Sequence, residues 1–133
     1  MYLPDSIRVD IIKHALALAP NQACGLVLFD DRMCAVKVEH GNNLGAWPYG
    51  FQIDPASQRR AYQQARQNGW SVSGVYHSHA VSSAVPTGRD LKRPVPKGML
   101  YLIVSLLDQN KPELCGYLIE QGVPTEVSLD RRE

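Results

Sequence analysis

Residues 74–90 read GVYHSHAVSSAVPTGRD, and the fold and chemistry of the chain turn on this stretch. It begins as the end of a strand, and side chains two apart on a strand share one face with Cα atoms about 7 Å apart. His77 and His79 can therefore bring both imidazoles to one ion, while Ser78 points to the opposite side. A loop follows over residues 80–86, and then a short helical turn from Thr87 to Leu91 that Pro94 and Pro96 stop. Asp90 on that turn can return a carboxylate to the same point, which makes two nitrogens and one oxygen. Three protein ligands with one position open is how a catalytic zinc site is built, whereas a structural site closes with four. Thr87 adds a hydroxyl nearby, suited to donate to an anionic intermediate. Two plainer readings stand beside this one. A lone H-x-H pair also arises by chance among solvated polar residues, and Thr87-Gly88-Arg89-Asp90 is a capping box, which by itself accounts for Asp90. Two His and one carboxylate also match the facial triad of non-haem iron oxygenases. A zinc nucleobase deaminase fits less well, because H-x-E and P-C-x-x-C elements are absent.

Working outward, "WSVSGVYHSH" is the strand that carries the histidines. Upstream, Ile7, Ile11, Ala15 and Leu18 recur at helical spacing, with Ser6 as the expected N-cap and Pro20 as the stop. "ACGLVLF" and "MCAVKVE" flank Asp30-Asp31-Arg32 as an antiparallel hairpin. "HGNNLGAWPYG" is turn chemistry, and Phe51 to Ile53 a brief extended piece. Asp54-Pro55 then opens a helix that runs to Asn68-Gly69. Downstream, "MLYLIVSLL" and "ELCGYLIE" flank "DQNKP" as a second hairpin, apolar enough for central strands, and "TEVSL" is a weaker last strand. The order predicts an α+β fold, a single domain over residues 1–133 with a mixed β-sheet packed against helices.

A chain of 133 residues and 14.8 kDa can bury a full core without disulfide or metal, so a metal here is expected to be functional. Fourteen Lys and Arg against thirteen Asp and Glu leave a net charge of +1, and no basic block exceeds Arg131-Arg132. That excludes an electrostatic footprint for nucleic acid or anionic lipid. The longest apolar run is about half a membrane span, and the N-terminus lacks the layout of a signal peptide. A soluble, cytoplasmic protein with no membrane partner is expected. Cys24, Cys34 and Cys115 are odd in number and form no C-x-x-C pair, and they read as buried free thiols. His14 and His40 are expected in hydrogen-bonded or solvated structural roles. Trp47, Tyr49 and Trp70 border loops, where packing at the edge of the core is expected over the lining of a groove.

The same stretch resembles the signature of the JAMM metalloprotease family, the MPN-plus domain: H-x-H, seven residues, Ser, two residues, Asp. The spacing matches at His77, His79, Thr87 and Asp90. "APNQACGLVLF" resembles the family's helix end followed by Glu-x-Cys-Gly and an apolar strand, and "NN…FQIDP" resembles its middle. The likeness spans most of the chain in order. It implies the JAMM/MPN-like fold, Zn2+ held by His77, His79 and Asp90, and a water as fourth ligand. It also implies peptidase or isopeptidase activity at the C-terminal tail of ubiquitin-like or sulfur-carrier proteins.

Three positions depart from the family pattern. Ala80 replaces a proline after the second histidine, and Thr87 replaces the serine while keeping its hydroxyl. Gln22 stands where the family has its glutamate general base. A carboxamide can hydrogen-bond a water but cannot take its proton, and a general base contributes typically about 10²- to 10⁴-fold. Impaired activity is therefore expected of the chain as written, whether the glutamine is engineered or natural. Glu39 is the nearest glutamate in sequence, and it is better explained as a strand-end surface residue. The alternative reading is a non-catalytic binding module for a ubiquitin-like or other protein partner.

Overall fold

The computed structural model describes residues 1–45 and 50–130. Trp47, Tyr49 and the Arg131-Arg132 pair lie outside these described residues, and with them the expectations placed on Trp47 and Tyr49. In chain order the elements are α1 (Asp5–Leu18), β1 (Cys24–Phe29), β2 (Ala35–His40), α2 (Pro55–Asn68), β3 (Ser71–His79), α3 (Gly88–Lys92), β4 (Leu100–Ser105), β5 (Glu113–Glu120) and β6 (Val123–Val127).

The six strands form one sheet in the order β2-β1-β3-β4-β5-β6. All neighbours are antiparallel except β3 and β4. A parallel pair needs a crossover rather than a tight turn. Here the crossover consists of the loop after His79, α3 and the proline-rich segment 93–99, so α3 is carried back to the end of β3. The mixed sheet of the α+β expectation is thus also what places Asp90 beside the histidines.

Both faces of the sheet are covered. On one side Ile7, Ile11 and Ala15 of α1 pack on Val27, Phe29, Tyr76, Leu102 and Val104. On the other, Ala61 and Ala65 of α2 pack with Leu26, Leu28, Val75, Tyr101 and Ile103. Strands covered on both faces are continuous apolar runs, which is why β1 and β4 are buried along their whole length. Gly25 permits the closest approach within the sheet, since a Cβ there would run into the Tyr76 ring and the Glu39 carbonyl. Among the described residues no helix is long and apolar enough to cross a membrane.

The second helix is capped as expected. Asp54 accepts from the Ser57 amide at 3.1 Å, Pro55 occupies the first turn, and Gly69 closes the helix at φ 70°. The first helix differs: it starts two residues earlier, Pro4 is the cap residue and no side chain caps it, so Ser6 is not the N-cap. The Pro4 carbonyl receives the Ile7 and Arg8 amides at 3.0 and 3.1 Å, and proline's fixed φ suits that entry. The last strand is Val123–Val127 rather than residues 125–129. Gln121 and Gly122 both take positive φ (51° and 76°), which makes a two-residue hairpin turn and pairs Glu120 with Val123. All three cysteines are free, Cys24 buried and the other two half-buried.

Candidate metal centre

His77 and His79 occupy the last turn of pleat in β3 and face the α2 side of the sheet, while Tyr76 and Ser78 face α1. Both imidazoles are almost fully buried, at 1% and 4% exposure. The crossover sets Asp90 against them. His77 Nε2 lies 3.1 Å from Asp90 Oδ1, His79 Nε2 lies 3.1 Å from Asp90 Oδ2, and the two Nε2 atoms are 3.0 Å apart. Among the described residues this is the group of His, Cys, Asp and Glu side chains whose ligand atoms are close enough to share an ion. Asp90 is also the N3 residue of a complete capping box: its Oδ2 accepts the Thr87 amide at 2.9 Å and Thr87 Oγ1 accepts the Asp90 amide at 3.3 Å. The cap and the ligand readings of Asp90 are therefore compatible, since the cap is what fixes the carboxylate. Tyr101 steadies the same group, its hydroxyl donating to Oδ1 at 3.0 Å.

The donor set fits a cation on electrostatic grounds. His79 Nδ1 lies 2.8 Å from the Ser83 carbonyl, which can only accept, so Nδ1 carries a proton. A neutral His79 then presents a bare Nε2 lone pair to a carboxylate and to a second imidazole. Such a cluster repels itself unless a positive charge sits within it. Burial opposes charge on His79, yet hydrogen bonds to Asp90 and the Ser83 carbonyl outweigh it and raise its pKa. On His77 burial prevails and lowers the pKa despite Asp90. Burial alone would raise the Asp90 carboxyl, but hydrogen bonding to His77 and His79 holds it well below the usual carboxylate range. Distances of 2.0–2.1 Å from zinc to its ligands place tetrahedral donors roughly 3.3 Å apart, close to the spacing found here. Ser83 also orients His79 as an outer hydrogen-bond partner of a metal-binding histidine does.

The group opens into a cleft of about 270 Å³ lined by Gln22, Phe51, Ser82, Thr87, Arg89 and Arg93, together with His79, Asp90 and Gly50. Gln22 is 8% exposed, and its Oε1 is buried without a hydrogen-bond partner, as is His77 Nδ1. The residues expected from sequence to act together, Gln22, His77, His79, Thr87 and Asp90, are thus brought to one place. Glu39 is not among the lining residues. It pairs with Arg60 at 3.3 Å on the α2 side of the sheet, and its side chain is only 13% exposed, more buried than its surface reading expects.

Two positioning residues escaped the sequence reading. Ser78 Oγ accepts the Ala23 amide at 2.8 Å and Ser78 N donates to the Ala23 carbonyl at 3.1 Å, which clamps the residue next to Gln22 onto β3. Asn43 donates to the Gln22 and Gly50 carbonyls, both at 3.1 Å, and accepts the Gly45 and Gln52 amides. An alternating strand pattern and a turn-rich Asn-Asn hint at neither partner. His14 and His40, separate in sequence, stack on each other on the α1 side at 4.2 Å, away from the cleft.

Three side-chain donors converge beside a cleft, a set that could hold one ion, and three protein ligands with a position left open is the pattern of catalytic rather than structural zinc sites. Comparison with known proteins narrows this: residues 4–115 match the prokaryotic homologs of the JAB domain, and the chain belongs to that family, the JAMM family of the resemblance. The chain is 28% identical over 126 residues to the CysO-cysteine peptidase of Mycobacterium tuberculosis, covering 90% of this chain and 86% of that protein. It is 31% identical over 84 residues to the desampylase of Pyrococcus furiosus, covering 63% of this chain and 59% of the desampylase. The solution structure of a Desulfitobacterium hafniense protein superposes with a TM-score of 0.84 at 32% identity, covering 95% of this chain and 88% of that one.

Proposed function

We propose that this chain is a zinc-dependent peptidase scaffold acting at the C-terminal tail of a ubiquitin-like or sulfur-carrier protein, and that Gln22 leaves it slow as written. The observation that carries the reading is the convergence of His77, His79 and Asp90 beside the buried, unpartnered Gln22 Oε1. The relatives support the substrate class, since one is named a CysO-cysteine peptidase and another a probable TtuB-protein conjugate cleaving protease. His77, His79 and Asp90 would hold the metal, which when bound supplies a Lewis acid that polarises a carbonyl and acidifies water. Thr87 Oγ1 accepts the Asp90 amide and keeps its own O–H to donate to an oxyanion. Gln22 can orient a water but has no site for its proton, and no other lining residue besides Asp90 is a carboxylate.

Gln22→Glu tests the assignment. On a ubiquitin-like protein extended beyond its terminal glycines, the rate should rise by roughly 10²-fold or more. Equal rates for the two forms on a substrate that both bind would show that position 22 is not the base. The same glutamine favours a second reading, a non-catalytic binding module, for which Gln22→Glu would bind the tail and still not cleave it.

A further inference from the structure

The cleft contains a charge pattern that hydrolysis alone does not require. Its lining includes the cation Arg93, and its carboxylate, Asp90, is already occupied by the histidines. Arg93 is held in place: its Nη1 donates to the Phe51 carbonyl at 2.6 Å and its guanidinium lies 3.6 Å above the Phe51 ring. That ring is itself stacked on His77 at 4.5 Å with 17° between planes. An arginine so close cannot use the same ring face as the imidazole, so guanidinium, phenyl and imidazole form a stack. The stack fixes the distance from the cation to the metal centre. Only one of five N–H groups is spent on Phe51, which leaves a planar fork able to meet a second acceptor.

We infer that Arg93 binds the free α-carboxylate of a single residue attached beyond the scissile bond, and so selects α-linked tails over isopeptides. The inference rests on the proposed peptidase reading and names its substrate class. In an α-linked terminal residue the carboxylate carbon is two bonds, about 2.5 Å, from the scissile nitrogen. In an isopeptide that nitrogen continues into lysine methylenes and offers no anion there. Arg binds carboxylates through two parallel N–H···O bonds, which adds geometry as well as charge. Hydrolysis adds water across the C–N bond and yields a carrier with a terminal glycine carboxylate and a free amino acid.

The test is binding by the zinc-loaded chain as written, followed by NMR titration, of acetyl-Thr-Val-Gly-Gly-Ala with a free C-terminus and of its C-terminal amide. The acid should bind at least about tenfold more tightly, and in Arg93→Gln the preference should shrink to within about threefold while the amide binds as before. A purely structural role for Arg93 would weaken both peptides equally, and that result overturns the inference. So does equal binding of acid and amide by the unmodified chain, with the peptidase reading intact. An acid preference that persists in Arg93→Gln places the carboxylate on another group and also overturns it. Failure of both peptides to bind removes the peptidase reading and this inference together.

Discussion

Ser78 and Ala23 exchange two hydrogen bonds, Ala23 N to Ser78 Oγ at 2.8 Å and Ser78 N to the Ala23 carbonyl at 3.1 Å. The residue between the two histidines thereby locks the backbone beside Gln22, and one strand position serves both sides of the site. Ser78→Ala leaves the Ala23 amide, which is fully buried, without its acceptor. Stability should fall by about 1–3 kcal/mol in urea unfolding. An unchanged midpoint would show that the clamp contributes nothing.

Zinc should stabilise the folded chain, because the unfolded chain cannot assemble His77, His79 and Asp90. At a free zinc concentration of 100 times Kd, unfolding should cost about 2.7 kcal/mol more than without metal. Asp90→Asn should remove that increment. Retention of the full zinc-dependent shift in both Asp90→Asn and a His77→Ala/His79→Ala variant would place the metal elsewhere.

Tyr101 donates to Asp90 Oδ1 at 3.0 Å and so would act on a metal held by Asp90 through that carboxylate. Tyr101→Phe keeps the ring that packs beside His77 and removes only the hydroxyl. Loss of such an outer partner typically costs 10- to 100-fold in metal affinity, on the order of 1–3 kcal/mol. A competition titration with a zinc chelator measures it, and an affinity equal to the parent's would reduce Tyr101 to packing.

Acid sensitivity should arise on the opposite face of the sheet. His14 is half-buried, stacks on His40 and shares a 2.7 Å hydrogen bond with the Tyr76 hydroxyl, while His40 in turn meets Asp10 at 2.7 Å. Burial and then the neighbouring His40 push His14 down to about 4, against the pull of Asp10. The unfolded chain therefore takes up this proton near pH 6.5 and the folded chain only near pH 4. Between those values the unfolded state holds more protons, so stability is full above about pH 6.5 and is lost as pH falls towards 4. About 1–2 kcal/mol should disappear between pH 7.5 and pH 5. His14→Asn should flatten that part of the profile, and an unchanged slope would assign it to other groups.

How much was legible follows from where each signal resides. The His77, His79 and Asp90 spacing is local, and strand alternation with a capping box carries it almost to its three-dimensional form. Gln22 required a resemblance, because nothing within its own segment ties it to residue 79. The Ser78–Ala23 clamp, the Asn43 bridge and the Arg93–Phe51–His77 stack join residues far apart in sequence, and periodicity has no access to such pairs. The turn at Gln121-Gly122 is not legible because Gln is seldom found at positive φ, and Ser6 misleads as a cap because proline can enter a helix without a side-chain cap.

Ground-state binding separates a stalled enzyme from a decayed one. Gln22 is nearly isosteric with glutamate, and it is buried at 8% exposure in the cleft wall, so the change alters charge while keeping shape. A substrate tail held by uniform contacts does not sense the proton that a base removes only in the transition state. Zinc held by the proposed ligands His77, His79 and Asp90, without a negative charge at position 22, should hold an uncleaved carbonyl at least as well. Calorimetric titration of the zinc-loaded chain and its Gln22→Glu variant, each with a ubiquitin-like tail whose terminal bond cannot be cleaved, measures the difference. The chain as written should bind more tightly than the variant or within about tenfold of it, roughly 1.4 kcal/mol. Loss of binding by the glutamine form alone would mean that a carboxylate at position 22 holds the substrate in the ground state, and position 22 would then be a binding residue as much as a base.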